Sequence, residues 1–213
     1  GEILDRLYEA TDAEYLIYTN VDIAVQPHFY LAVDALIEQG HDAFVINRRT
    51  IPAHYESIAD LPLMYAEVGD KHPGFDCFVF RREVYPHYVT GKICLGVQWI
   101  DHVFIMNLVC HAHNFYVFRD LHLTFHIGDS QTWLKEKYLD YYVHNHRQAA
   151  KVVQALEQRH GPLEAIEAFR KFKLGIRPAK AYLHPGKSPE SQFRLMKKNI
   201  KKQREMRQAR AVA

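Results

Sequence analysis

No stretch of this chain is apolar for long enough to cross a bilayer. Val103 to Cys110 is among its longest apolar runs, and Asn107 interrupts it; a spanning helix needs roughly 18 or more apolar residues. Cysteine is scarce. The three present, Cys77, Cys94 and Cys110, include no C-x-x-C pair, and an odd number argues against a full disulfide framework. They read instead as reduced, mostly buried thiols of a cytoplasmic protein. Tryptophan occurs twice, at Trp99 and Trp133. There is no internal repeat. Gly1-Glu2 opens the chain without Met and without a basic, apolar signal segment, so the expectation is a processed chain or a piece of a longer one.

The 213 residues are 48% hydrophobic and 24% charged, the composition of a globular domain with room for an appendage. The net charge of +2 hides an asymmetry. From Lys171 onward there are 13 Lys/Arg against 2 Asp/Glu, net +11; the first 170 residues hold 14 against 23, net −9. A basic tail on an acidic body fits an anionic membrane surface or another polyanion. It fits equally a solvated helix folded back on that body. Nucleic acid is disfavoured because the tail after residue 175 interleaves few aromatics with its charges, only Tyr182 and Phe193.

Ile3, Leu4, Leu7 and Tyr8 have helical spacing, which predicts a helix over residues 2–11. A strand follows from Glu14 to Thr19. After Pro27 a second helix carries Phe29, Val33, Leu36 and Ile37 on one face, with Gly40 as its stop. Ala43 to Asn47 reads as the next strand, and the alternation implies a sheet with parallel neighbours. Residues 48–73 look irregular, punctuated by Pro52, Pro62 and Pro73. Further expectations are a strand at Cys77 to Phe80, a helix from Gln98 to His111, and strands at Phe115 to Phe118 and His122 to Phe125. Helices over 134–158 and 163–172 come next. A linker with Pro178, Pro185, Gly186 and Pro189 leads to a basic helix from Phe193 to Arg210. The division is an α/β domain over 1–133, a helical extension over 134–175, and a linker with basic tail over 176–213.

The stretch with the most chemistry is Tyr15-Leu-Ile-Tyr-Thr-Asn-Val-Asp22. An apolar strand runs into Asn20 and Asp22, and open α/β sheets bind ligands at strand ends. Side chains at i and i+2 of an extended segment point the same way, so these two could share an oxygen-seeking divalent cation such as Mg²⁺ or Mn²⁺. A plain turn is the competing reading. Asp76, Asp101 at a helix start and His126 also fall near the ends of predicted elements. Each has a local alternative as a turn cap, a first-turn carboxylate or a core histidine. Arg48 and Arg49 follow a strand directly and suit a diphosphate or, as readily, structural ion pairs.

From Thr19-Asn-Val-Asp22 through the Pro27 helix, the chain resembles the middle of a GT-A fold glycosyltransferase of the family 2 type. The resemblance continues through His72-Pro-Gly-Phe-Asp76 and Leu95-Gly-Val-Gln-Trp-Ile-Asp101, and covers residues 2–133. It implies that Asn20-Val21-Asp22 is an Asp-x-Asp-like motif binding a divalent cation, Mn²⁺ or Mg²⁺, with His126 completing the metal site. It also implies Asp101 as catalytic base, Asp76 as a positioning group, and Arg48, Arg49 and Trp99 as substrate contacts. The partners would be a nucleotide-sugar donor and a saccharide or other hydroxyl acceptor. Family members carry a nucleotide-binding run of strands and helices before this point, where this chain has a single helix. The expectation is therefore a GT-A-like sheet lacking its N-terminal part.

Two other readings stand beside this one. The first is a degenerate, non-catalytic α/β domain that docks through its basic tail. The second is a hydrolase using zinc at His111-Ala-His113 or His144-Asn-His146, which helical geometry disfavours because i, i+2 side chains diverge around the axis.

Overall fold

The computed structural model describes residues 2–72, 74–129, 132–174 and 188–212. The predicted linker residues Pro178, Pro185 and Gly186, and Tyr182 of the tail, lie outside them. Helix α1 (Glu2–Glu9) precedes β1 (Tyr15–Thr19) and the short β2 (Ala24–Val25); α2 (Phe29–Glu38) and β3 (Ala43–Ile46) follow. In α2, Phe29, Val33 and Leu36 are buried on one face. The helix ends where Gly40 takes φ +90° and its N–H bonds to the Ile37 carbonyl, a left-handed stop that glycine adopts without cost.

Residues 48–73, expected to be irregular, contain β4 (Arg49–Ile51), α3 (Leu61–Ala66) and β5 (Asp70–Lys71). These elements are two to six residues long, too short for periodicity to reveal. Next come β6 (Cys77–Arg81), α4 (Ile100–His111), β7 (Phe115–Phe118) and β8 (Thr124–Ile127). The last lies two residues later than its apolar pattern indicates. The long helix α5 (Leu139–His160) and short α6 (Glu167–Lys171) follow, and α7 (Pro189–Val212) begins on Pro189, a residue favoured in the first turn of a helix.

The strands form two four-stranded sheets, ordered β1-β6-β3-β7 and β2-β8-β4-β5. Both are mixed, which corrects the expectation of parallel neighbours. β1 and β3 do not touch; β6 lies between them, antiparallel to both. Among the described residues only β3–β7 and β4–β8 are parallel. Strand alternation sorts the first sheet into two cores. Leu16, Val45, Phe78, Phe80 and Val117 face α4, α5 and the later helices. Phe44, Ile46, Cys77 and Val79 face α2. Ile51, Met64 and Phe125 form a third cluster under the second sheet.

Helix α4 is buried continuously from Val103 to Val109, so no amphipathic stripe marks it. Its Asn107 is fully buried yet satisfied: Nδ2 donates to the Val89 and Val103 carbonyls and Oδ1 accepts from the Val89 N–H. Helices α5, α6 and α7 contribute Val152, Val153, Leu156, Phe169 and Phe193 to the same core as the first sheet. Cys77, Cys94 and Cys110 are free thiols.

Candidate active site

Sheet register builds the site. Thr19 at the end of β1 and Ile46 at the end of β3 both pair with Cys77 at the start of β6. One rim of the first sheet therefore carries the residues just past β1, just past β3 and just before β6. These are Asn20, Asn47, Arg48 and Asp76. The Thr19 hydroxyl donates to the Asp76 carbonyl at 3.0 Å, and Asn20 Nδ2 donates to Asp76 Oδ1 at 3.3 Å. Arg48 donates to the same carboxylate oxygen at 2.9 Å, with both side chains about nine-tenths buried.

His72 joins this group without having been singled out in the sequence. Asn47 Nδ2 donates to its carbonyl at 3.1 Å, and its Nε2 lies 4.0 Å from Asp76 Oδ2. The close approach depends on Gly74: a Cβ there would sit 2.6 Å from His72 Nε2. Burial pushes the imidazole down to about 4, assisted by the Arg48 charge, so His72 is neutral at pH 7. Burial likewise pushes Asp76 up to about 6, against the pull of Arg48 and with the charges of Asp101 and Asp22 adding to the rise. Asp76 Oδ2 has no hydrogen-bond partner among the described residues. A buried carboxylate oxygen in that condition is a natural acceptor for a ligand hydroxyl.

The second sheet brings in the next pair. β8 lies between β2 and β4, and His126 on β8 reaches the turn that follows β1. His126 Nε2 lies 3.1 Å from Asp22 Oδ2, and its Nδ1 lies 2.7 Å from the Gly128 carbonyl. A carbonyl only accepts, so Nδ1 carries a proton. Nε2 then faces the carboxylate either with a second proton or with a lone pair. In the latter state the nitrogen and the carboxylate would both offer lone pairs to a cation. A ligating histidine also commonly donates its other N–H to a backbone carbonyl, as His126 does. The residues thus fit an oxygen-seeking divalent ion held by Asp22 and His126. Among the described residues, no group of three or more His, Cys, Asp or Glu side chains could hold a metal.

Asp101 stands in the first turn of α4, and its charge is felt at both Asp76 and His72. Its Oδ1 meets His102 Nδ1 at 2.9 Å. Burial alone would raise Asp101, but the charge and hydrogen bond of His102 outweigh it and leave the carboxyl below its ordinary value. His102 is raised in turn: burial opposes its charge, and Asp101 more than compensates. The preceding Trp99 adopts φ +91°, a left-handed conformation rare outside glycine and asparagine. Strain of this kind clusters at functional sites.

Two expected substrate contacts are corrected. Trp99 is 2% exposed and sits in the main core with His146 edge-on to its ring, so it has no free face on which a sugar could stack. Arg49, the first residue of β4, has partners other than those of Arg48. It bonds to Asp120 at 2.6 Å and to the Gly69 carbonyl. The proposed zinc pairs also separate. His111 bonds to the Asn107 carbonyl, His144 to the Lys92 carbonyl, and His146 to Gln192.

No family model matches the sequence, and no curated protein matches it. Among solved structures, the chain is similar in fold to S. aureus TarS 1-349. With the UDP-GlcNAc complex it shares 11% identity and a TM-score of 0.45, covering 84% of this chain and 54% of that one. For TarS 1-349 without ligand the values are 11%, 0.43, 87% and 54%. For the UDP complex they are 8%, 0.40, 82% and 55%. This chain thus spans about half the length of the structures it matches.

Proposed function

We propose that this rim transfers a glycosyl group from a nucleotide-diphosphate sugar to a hydroxyl acceptor, with a divalent cation, Mn²⁺ or Mg²⁺, as cofactor. The observation that carries the reading is the pair of His126 and Asp22, with Nδ1 of the histidine tied to the Gly128 carbonyl. When bound, the cation would supply positive charge to the diphosphate leaving group. Asp22 and His126 would hold it. Asn20, whose amide is engaged with Asp76, would orient that carboxylate. Asp76 Oδ2 would accept a sugar or acceptor hydroxyl. Asp101 would take the proton of the attacking hydroxyl as its oxygen bonds to the anomeric carbon and the bond to the diphosphate breaks. Its depressed proton affinity keeps it ionised for that role at neutral pH.

The test is thermal denaturation of the chain with MnCl₂ and a panel of uridine and guanosine diphosphate sugars. A rise in Tm with one donor, lost in Asp22→Ala, is the expected result. No shift with any donor would overturn the reading.

A second reading, a binding domain that docks through its tail, draws on the anchoring of α7. Phe193 is fully buried against Tyr142 at 5.0 Å, while Lys198, Lys201 and Lys202 further along are exposed. Salt-sensitive flotation with phosphatidylserine vesicles, abolished by Lys198, Lys201 and Lys202→Gln, would favour it.

A further inference from the structure

The first sheet ends on β7, which pairs with β3 on one side and with no strand among the described residues on the other. The end of α6 leans against that open edge. Phe172 meets Phe115 and Tyr116 edge-on at 5.6 and 5.1 Å. Between them runs a cleft of about 740 Å³, lined in part by Tyr116, Phe118, Arg119, Lys171, Phe172 and Lys173. Its lining combines rings with cations. Lys171 lies over the Tyr116 and Phe172 rings at 5.3 and 5.2 Å, and Arg119 bonds to the Phe172 carbonyl at 2.8 Å. The one acid of the lining, Asp120, is already shared between Arg49 and Lys71. The cleft is therefore cationic, although the first 170 residues carry a net charge of −9.

This cleft leads to the rim already described. The Phe118 carbonyl accepts the Asn47 N–H at 2.9 Å, one residue before Arg48. The Arg119 guanidinium lies 5.4 Å from the ring of Phe75, the neighbour of Asp76. We infer that the β7–α6 cleft seats a run of an anionic saccharide polymer, whose hydroxyl is thereby presented to Asp76 and Asp101; this acceptor role rests on the glycosyl-transfer reading above. Aromatic rings give sugar rings an apolar surface, and the flanking Lys and Arg side chains complement charges spaced along the chain.

Binding of a short dextran sulfate and of uncharged dextran of equal length, read by calorimetry at low and high salt, tests this on the whole chain. Dextran sulfate is expected to bind, more weakly as salt rises, and uncharged dextran is not. Lys171→Ala with Lys173→Gly should weaken dextran sulfate about tenfold, the loss expected for one or two charge contacts. Both side chains are exposed, and glycine suits the φ of +53° at position 173, so folding is spared. The donor-dependent Tm shift should persist in this variant. Conversely, Asp22→Ala should lose that shift and keep the polymer.

Undiminished binding by the double variant would assign the polymer to the basic tail and overturn the inference. Equal binding of uncharged dextran, or equal competition by an oligouridylate, would overturn it too. If the donor shift is missing in the unaltered chain while the cleft variant still loses the polymer, the transfer reading and the acceptor role fall together, and a saccharide-binding cleft remains.

Discussion

At the scale of single residues, Asp76 and His72 share an unusual proton balance. Asp76 rises from an ordinary 3.8 to about 6, so its contribution to stability is full below 3.8 and is lost as pH rises through 6. His72 falls from 6.5 to about 4; its contribution is full above 6.5 and is lost as pH falls through 4. Between those limits the two slopes oppose each other. Asp76→Asn should expose the histidine's slope, so that the variant loses stability relative to the parent as pH falls from 6.5 to 4. Urea denaturation across that interval reads it; parallel curves for the two proteins would contradict the assignment.

The two arginines make a second contrast. Arg48→Ala removes the cation that holds Asp76 down; already at about 6, the carboxyl would take up a proton, and the cost at pH 7 should be about 1–3 kcal/mol, that of a buried acceptor left without a partner. Arg49→Ala should cost no more than about 1 kcal/mol, because Asp120 is 60% exposed and keeps Lys71. Nothing in the dipeptide Arg48-Arg49 distinguishes these roles. The difference comes from the fold: Arg48 precedes β4 and meets Asp76, whereas Arg49 opens β4 and meets Asp120. Asn20, Asp22, Asp76 and His126 were noticeable in the sequence as polar residues at or near strand ends, although the Asn20 amide meets Asp76 rather than Asp22. His72 was not, since its neutrality depends on a burial that only the folded chain creates.

At the scale of elements, the segment between residues 88 and 99 forms neither helix nor strand, and it leads into Trp99 and Asp101. Its backbone is tied down by side chains of the helices behind it. Asn145 on α5 accepts from the Cys94 N–H and donates to the Cys94 and Gln98 carbonyls. Gln148 accepts from the Lys92 N–H, and Asn107 does the same work at Val89. Asn145→Ala should therefore cost at least roughly 1–3 kcal/mol, since buried backbone groups lose their partners. Amide exchange at Cys94 should rise by more than at Val89; uniform exchange along the segment would argue against this pinning. Helix spans were readable wherever an apolar face and a stop signal coincided, as in α2. Sheet order was not, because β6 is chosen as the partner of both β1 and β3 by contacts far apart in sequence, which local pattern does not encode.

At the scale of the whole molecule, one core joins the first sheet to α4, α5, α6 and α7. The helices after residue 134 thus share their buried side chains with the strands. Cooperative unfolding is the expected consequence: the helical signal in far-ultraviolet circular dichroism and the combined emission of Trp99 and Trp133 should change along one curve in urea. Separate midpoints would show that the helices unfold on their own. The charge asymmetry was visible in the sequence, but the anchoring of α7 through Phe193, Met196 and the His146–Gln192 bond was not.

β1 has a partner on one side only among the described residues. Its five residues, Tyr15–Thr19, include neither proline nor lysine, the usual guards of an exposed strand border. Two molecules could therefore join border to border and extend the sheet across a twofold axis. Such a join would run directly past Asn20 and Asp22, so self-association at high concentration and occupancy of the rim would compete for the same stretch of backbone.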